Sequence, residues 1–204
     1  MVRERVTEVE RDSSVDKVEQ ILQGAMQEFL SHGYAGTSMD RVASRGGVSK
    51  ATVYSHFQDK QGLFKALVEK LAQERFHSVF GTEPLKGNPK TVLRRLALKA
   101  LNEMLNDEEY RAFKRVLIGE SGRFPELAQL CVSSLIKPSI DVLSKYLADR
   151  PELKIADPEA TAMILLGTLV HFMMTQEMMH GKEIIPMEGE RVVDALIDLI
   201  LKSA

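Results

Sequence analysis

The sequence predicts an all-helical protein. Three observations carry that expectation. Apolar residues recur at spacings of three and four over most of the chain, no segment alternates apolar and polar residues between turn signals, and no proline precedes Pro84. The first third is thus open to short continuous helices, while seven prolines punctuate the rest, at 84, 89, 125, 138, 151, 158 and 186.

The elements follow in order. Val15, Val18, Leu22, Ala25, Met26 and Phe29 lie on one face of an amphipathic helix that stops at Gly33. The charged residues before it, 1–13, read as a flexible arm. Thr37 is placed to cap a second helix, with Asp40 three residues on in a variant of the capping box, and Gly46-Gly47 ends that helix after barely two turns. Ser49 caps a third, in which Val48 and Val53 can form a hydrophobic staple, running to about His56. Asp59 caps a fourth, long helix bearing Leu63, Phe64, Leu67, Val68, Leu71, Phe76 and Phe80. Beyond the loop Gly81 to Pro89, helices are expected near 90–106, 108–120, 124–149, 158–181 and 188–202, about nine in all. Pro138 should kink or divide the 124–149 segment, because it removes a backbone donor.

Composition narrows the function. A chain of 204 residues with 44% hydrophobic and 27% charged residues is ordinary globular protein, not a disordered, collagenous or disulfide-built one. The net charge of −2 gives no overall positive field, so any nucleic-acid site has to be local. The single cysteine, Cys131, excludes an intramolecular disulfide and reads as a small buried hydrophobe in a reducing cytosol. No apolar signal segment opens the chain, and the most apolar run, Met163 to Met174, is interrupted by Gly167 and His171 and is shorter than the ~18 residues of a membrane span. A cytoplasmic protein with no membrane partner is expected. The five histidines form no ligand-like i, i+4 pair, and no catalytic triad or phosphate-cradling glycine loop is visible, so neither a metal, a cofactor nor an enzyme is expected.

A positive signal lies between residues 37 and 65. A helix-turn-helix needs a small residue where two short helices touch, a glycine in the turn and an apolar residue on the second helix, and Ala43, Gly47 and Val53 supply them. The second helix then exposes Ser49, Lys50, Thr52, Tyr54, Ser55 and His56, donors of the kinds that meet phosphates and base edges. Lys60 stands in the first turn of the fourth helix, where the dipole disfavours a cation unless an anion shares the site. Arg41, Arg45, Lys50, Lys60 and Lys65 against Asp40 and Asp59 make this segment locally basic, +3 in a chain of −2.

The segment Phe29 to Val68, FLSHGYAGTSMDRVASRGGVSKATVYSHFQDKQGLFKALV, resembles the DNA-binding domain of the TetR/AcrR family of bacterial transcriptional regulators. RVLIGESGRFPEL, Arg115 to Leu127, resembles the start of one subgroup's C-terminal domain. The resemblance implies a helix-turn-helix domain over 14–62 and a helical effector-binding and dimerisation domain over 63–204. It implies that Thr37 caps the second helix and touches a phosphate, that Ser49, Lys50, Ala51 and Thr52 meet the major groove, and that Tyr54, His56 and Lys60 grip the backbone. Ser55, also counted in the interface, stands where many members carry an aromatic residue or histidine. A small-molecule pocket among the central helices would draw on Leu71, Met104, Phe113, Leu117, Leu166 and His171, and the methionines suit a lipophilic or aromatic effector.

The last two long helices are apolar on more than one face, as a symmetric two-helix-per-subunit bundle requires. Val170, Met174, Met178, Val192, Leu196 and Ile200 are the residues expected at that homodimer seam. Thr168, His171 and Thr175 form a polar stripe on the first of these helices, which fits the pocket, the seam or the loop above it. The expectation is a homodimeric repressor released from a palindromic DNA operator by a small molecule. An activator, an effector-independent DNA binder, or a helical small-molecule carrier or enzyme without operator recognition are the rivals.

Overall fold

In the computed structural model, ten α-helical stretches account for nearly all of the chain from Val2 to Lys202, and side chains are described from Val15 on. They are α1 (Val2–Gly36), α2 (Met39–Arg45), α3 (Lys50–His56), α4 (Lys60–Phe80), α5 (Pro89–Asn106), α6 (Glu108–Glu120), α7 (Pro125–Cys131), α8 (Lys137–Ala148), α9 (Pro158–Met173) and α10 (Gly189–Lys202). No strand occurs among the described residues. The arm expected over residues 1–13 lies outside the residues whose side chains are described.

The chain divides into two compact units, one of the residues up to Leu71 with Ala112–Leu130, the other of Ala72–Arg111 with the residues from Cys131 onward. In the first unit, α1 and α2 cross with their backbones touching. A methyl group on Gly24 would stand 2.6 Å from the Gly46 nitrogen and 2.8 Å from the Val42 carbonyl, and one on Gly46 would stand 2.8 Å from the Gln20 carbonyl. The Gly47 turn has φ 64°, a conformation that glycine adopts without steric cost, and it lets Val53 of α3 bury completely beside Val42 and Ala43. At Gly33, φ 66° and ψ 177°, α1 breaks as expected. Tyr34 then turns inward, its ring 5.2 Å from that of Phe64 and 4.8 Å from that of Phe124, and Phe64 in turn lies 5.3 Å from Phe113 of α6. The Ala35 N–H donates to Glu120 at the end of α6, 3.3 Å away.

The second unit packs α5, α8, α9 and α10 around Leu93, Leu143, Leu147, Leu165, Leu169 and Ile197, all of them at most 2% exposed. On its surface Arg94 of α5 pairs with Asp194 and Glu190 of α10, and Lys90 with Asp198. Pro138 divides α7 from α8 as expected, but through a π-helical turn, Val132–Ile136, and not a simple kink. The wider turn carries the Lys137 N–H to the Val132 carbonyl, and the Ser139 hydroxyl takes the Leu135 carbonyl at 2.8 Å. A second π turn, Met174–Met178, ends α9 before residue 181, because the chain there folds back so tightly that a methyl group on Gly181 would stand 2.6 Å from the Thr175 carbonyl.

The inward stripe of α10 corrects one expectation. Leu196 and Ile200, assigned to a subunit seam, are only 7% and 8% exposed and belong with Val193 and Ile197 in the protomer's own core. Those four residues, at spacings of three and four, already fill the buried face; Leu199, 66% exposed, lies off it on the flank of the helix.

Gly24→Ala is expected to lower stability by about 1–3 kcal/mol, since backbone atoms cannot yield to the added methyl group. Gly122→Ala, with nothing within 4 Å of its new carbon, should leave the unfolding midpoint much closer to the parent value. Thermal unfolding of the two variants checks the difference.

Candidate nucleic-acid interface

The cap of α2 is Ser38, not Thr37. Ser38 is extended, φ −124° and ψ 143°, and its hydroxyl accepts from the Arg41 N–H at 3.3 Å. The break at Gly33 draws Thr37 inward: it is 5% exposed, and its hydroxyl donates to the Gly33 carbonyl at 2.7 Å. Ser49 caps α3 as expected, accepting from the Thr52 N–H at 3.0 Å, and Asp59 caps α4 by accepting from the Gly62 N–H at 2.7 Å.

With Val53 buried, α3 presents Ser49, Lys50, Ala51, Tyr54, Ser55 and His56 on its exposed side, with Thr52 half-buried at the edge. The hydroxyls of Ser49 and Thr52 lie 2.8 Å apart, and Ser55 donates to the Thr52 carbonyl at 2.8 Å. Lys50 reaches Asp40 of α2, 2.7 Å from Oδ1 and 2.9 Å from Oδ2, above the ring of Tyr54.

The basic residues are less available than their number implies. Glu28 of α1 is wholly buried and takes Arg41, and Arg45 at 2.8 Å, with His32 at 3.2 Å. Burial alone would raise the Glu28 carboxyl, but the two guanidinium hydrogen bonds and the charges of Arg41 and His32 outweigh it and hold it below the usual carboxylate range. Arg41 also donates to the Gly36 carbonyl, so both α2 arginines are tied to α1. Sequence reasoning missed Glu28; the signal was the i, i+4 spacing of Arg41 and Arg45, which calls for an acid on the helix facing them.

Lys60 likewise meets its requirement inside the fold. Its ammonium donates to the Ala35 and Thr37 carbonyls at 3.0 and 3.1 Å and lies 4.8 Å over the Tyr34 ring. The cation that the dipole of α4 disfavours is thus offset by carbonyls where α1 ends, and no bound anion is needed to explain it. Desolvation in this setting pulls the Lys60 pKa down from its ordinary value.

This arrangement of capped α2, glycine turn and exposed α3 coincides with residues 21–67 of a match to the family model for bacterial regulatory proteins of the tetR family. A second model, the C-terminal domain of AefR-like transcriptional repressors, matches residues 91–203, more than half of the chain. The chain belongs to the TetR family. It is a DNA-binding transcriptional regulator of that family, and among its relatives is the regulator YhgD of Bacillus subtilis, 25% identical over 93% of this chain and 97% of its own. A TetR-family regulator from Mesorhizobium loti superposes with a TM-score of 0.77 at 27% identity, covering 93% of this chain and 97% of that one. The flavonoid-responsive regulator FrrA superposes at 0.73, also at 27% identity, covering 92% and 96%. No helix among the described residues is long and apolar enough to cross a membrane.

The six expected effector residues are not gathered within either unit. Leu71, Phe113 and Leu117 belong to the first, where Phe113 and Leu117 are buried; Met104 and Leu166 pack on the core of the second, and His171 is exposed on α9. A cleft of about 340 Å³ does open in the second unit, between the end of α4, the α4–α5 loop and α8. Phe76, Phe80, Leu85, Val142 and Tyr146 line it, and the Arg150 guanidinium stacks 3.5 Å from the Tyr146 ring centre. None of the six lies on it.

Glu28→Gln is expected to cost about 3 kcal/mol, because it removes the shared charge from two guanidinium partners, themselves partly exposed. A folded pKa below the unfolded one means that the Glu28 contribution is complete above the ordinary carboxylate range and is lost as pH falls through the depressed value. Unfolding of both proteins from about pH 7 down to about pH 3 should show the gap between them closing on the acid side.

Proposed function

We propose that the chain is a cytoplasmic repressor that grips a pseudo-palindromic operator as a homodimer and is released by a small lipophilic or aromatic effector. The observation that carries DNA reading is the exposed row Ser49, Lys50, Ala51, Tyr54, Ser55 and His56 on a capped helix held by the buried Val53. In this reading Ser49, Lys50, Ala51 and Thr52 face the major groove, and Tyr54, Ser55 and His56 lie along the phosphates. Thr37 and Lys60 act from behind, fixing the turn that sets α2. The match to the AefR-like repressor domain supports repression.

The outward face of α9 supports the dimer. Met163 and Ile164 are 54% and 58% exposed, and Gly167, Val170, His171 and Met174 continue the same face; on α10 Leu199 is also exposed, while Val192 is half-buried against the core. Gly167 lies within the helix with nothing within 4 Å of the place a methyl group would take. Such a glycine costs about 1 kcal/mol relative to alanine, a cost that close approach of a partner helix explains. The Thr168, His171, Thr175 stripe falls on this face. Thr168 donates to the Ile164 carbonyl at 2.8 Å and Thr175 lies 3.4 Å from His171 Nε2, so the stripe satisfies its own polar groups and suits a seam better than a pocket. Met178, half-buried on the π turn after α9, lies at its margin.

FrrA is named for its response to flavonoids, and the aromatic walls of the Phe76–Tyr146 cleft would suit a planar effector in this chain too. Release requires the effector to prefer the state that binds DNA poorly.

Leu199→Glu is expected to yield folded monomers whose operator affinity falls to the level of random DNA, whereas Leu196→Glu should unfold the protein. Sedimentation, circular dichroism and gel shifts separate the two. A monomeric parent protein at about micromolar concentration would refute the dimer. A gel shift with DNA upstream of the protein's own coding region, titrated with planar aromatic and acyl compounds, tests repression and release.

A further inference from the structure

Lys50 and Asp40 come from different helices, α3 and α2, and both are exposed. The two side chains are 60% and 63% exposed, so neither is held by burial. Arg41, the neighbour of Asp40, is turned away to Glu28, which leaves the Asp40 carboxylate to Lys50. The ammonium contacts both carboxylate oxygens, at 2.7 and 2.9 Å, over the Tyr54 ring at 5.9 Å. An ammonium and a carboxylate thus sit side by side, next to Ser49 and Thr52.

We infer that Asp40 and Lys50 read one G·C base pair as a unit, Lys50 donating to guanine N7 and O6 while Asp40 accepts from the cytosine N4 amino group. This deepens the operator reading above and rests on it. In the major groove a G·C pair shows two adjacent acceptors followed by a donor, the complement of an ammonium followed by a carboxylate. An A·T pair shows acceptor, donor, acceptor: Lys50 could reach adenine N7, but the carboxylate would then face thymine O4, acceptor against acceptor. On a reversed pair the carboxylate meets the guanine acceptors. Asp40 is therefore the residue that makes the contact selective. A lysine alone is drawn to any phosphate or guanine, and the acid beside it repels every base pair that offers no donor at its position.

The test uses the full-length protein and the duplex that it enriches from a randomised library. Each base pair of one half-site is changed to the other three in turn, and affinities are measured for the parent, Asp40→Asn and Lys50→Gln, with circular dichroism confirming the fold. One G·C pair per half-site should cost the parent about tenfold when replaced. Both variants should lose preference at that same pair and keep it elsewhere. Asp40→Asn should shift it toward A·T, because the amide NH₂ can donate to the thymine O4 that the carboxylate repels. It should also bind random duplex about three- to fivefold more tightly, as the surface acid no longer repels the backbone. The inference is overturned if the two variants act at different base pairs, or if Asp40→Asn rescales affinity uniformly with its preferences intact. Should the parent enrich no sequence, the operator reading falls and this one with it; enrichment without a jointly sensitive G·C pair removes this inference alone.

Discussion

The buried carboxylate of Glu28 is the constraint on which the reading head depends. Two arginines one helical turn apart on α2 converge on it, and the close backbone crossing at Gly24 and Gly46 brings α2 near enough for them to do so. The crossing and the ion pair support each other. Without the glycines the helices would stand too far apart, and without Glu28 two cations would face the end of α1 with no counter-charge. Because α3 follows α2 through a single tight turn, fixing α2 against α1 also fixes the row from Lys50 to His56.

The turn Gly33–Thr37 is the second anchor. Lys60 of α4 holds its carbonyls from one side, and Glu120 of α6 takes the Ala35 N–H from another. Tyr34 in the middle packs on Phe64 and Phe124. Three elements far apart in sequence thus agree on where α2 begins. The same agreement turns Thr37 inward and leaves capping to Ser38.

Much of this was legible in the sequence, for identifiable reasons. Helix boundaries are written in short-range chemistry, so the caps Ser49 and Asp59, the stop at Gly33 and the turn at Gly47 could be read from neighbours alone. What escaped depends on partners distant in sequence. Arg41, Arg45 and Lys60 look like a DNA-facing patch in one dimension, and only the fold shows Glu28 and two carbonyls taking them up. The apolar stripes of α10 overlap in the heptad, so choosing Leu199 over Leu196 as the outward residue needed the core formed by α5, α8 and α9. The π turns escaped because Pro138 predicts an interruption but not the hydrogen-bond register that absorbs it.

The return of α6 and α7 to the first unit has a consequence for the order in which the protein is made. Phe113 and Phe124 complete the aromatic cluster around Phe64 and Tyr34, but they are synthesised only after the excursion Ala72–Arg111. The reading head therefore takes part of its interior from residues beyond α4. A nascent chain that has emerged only as far as α4 still lacks part of the head's interior, so competence for DNA arrives late in translation, when much of the rest of the chain is already present.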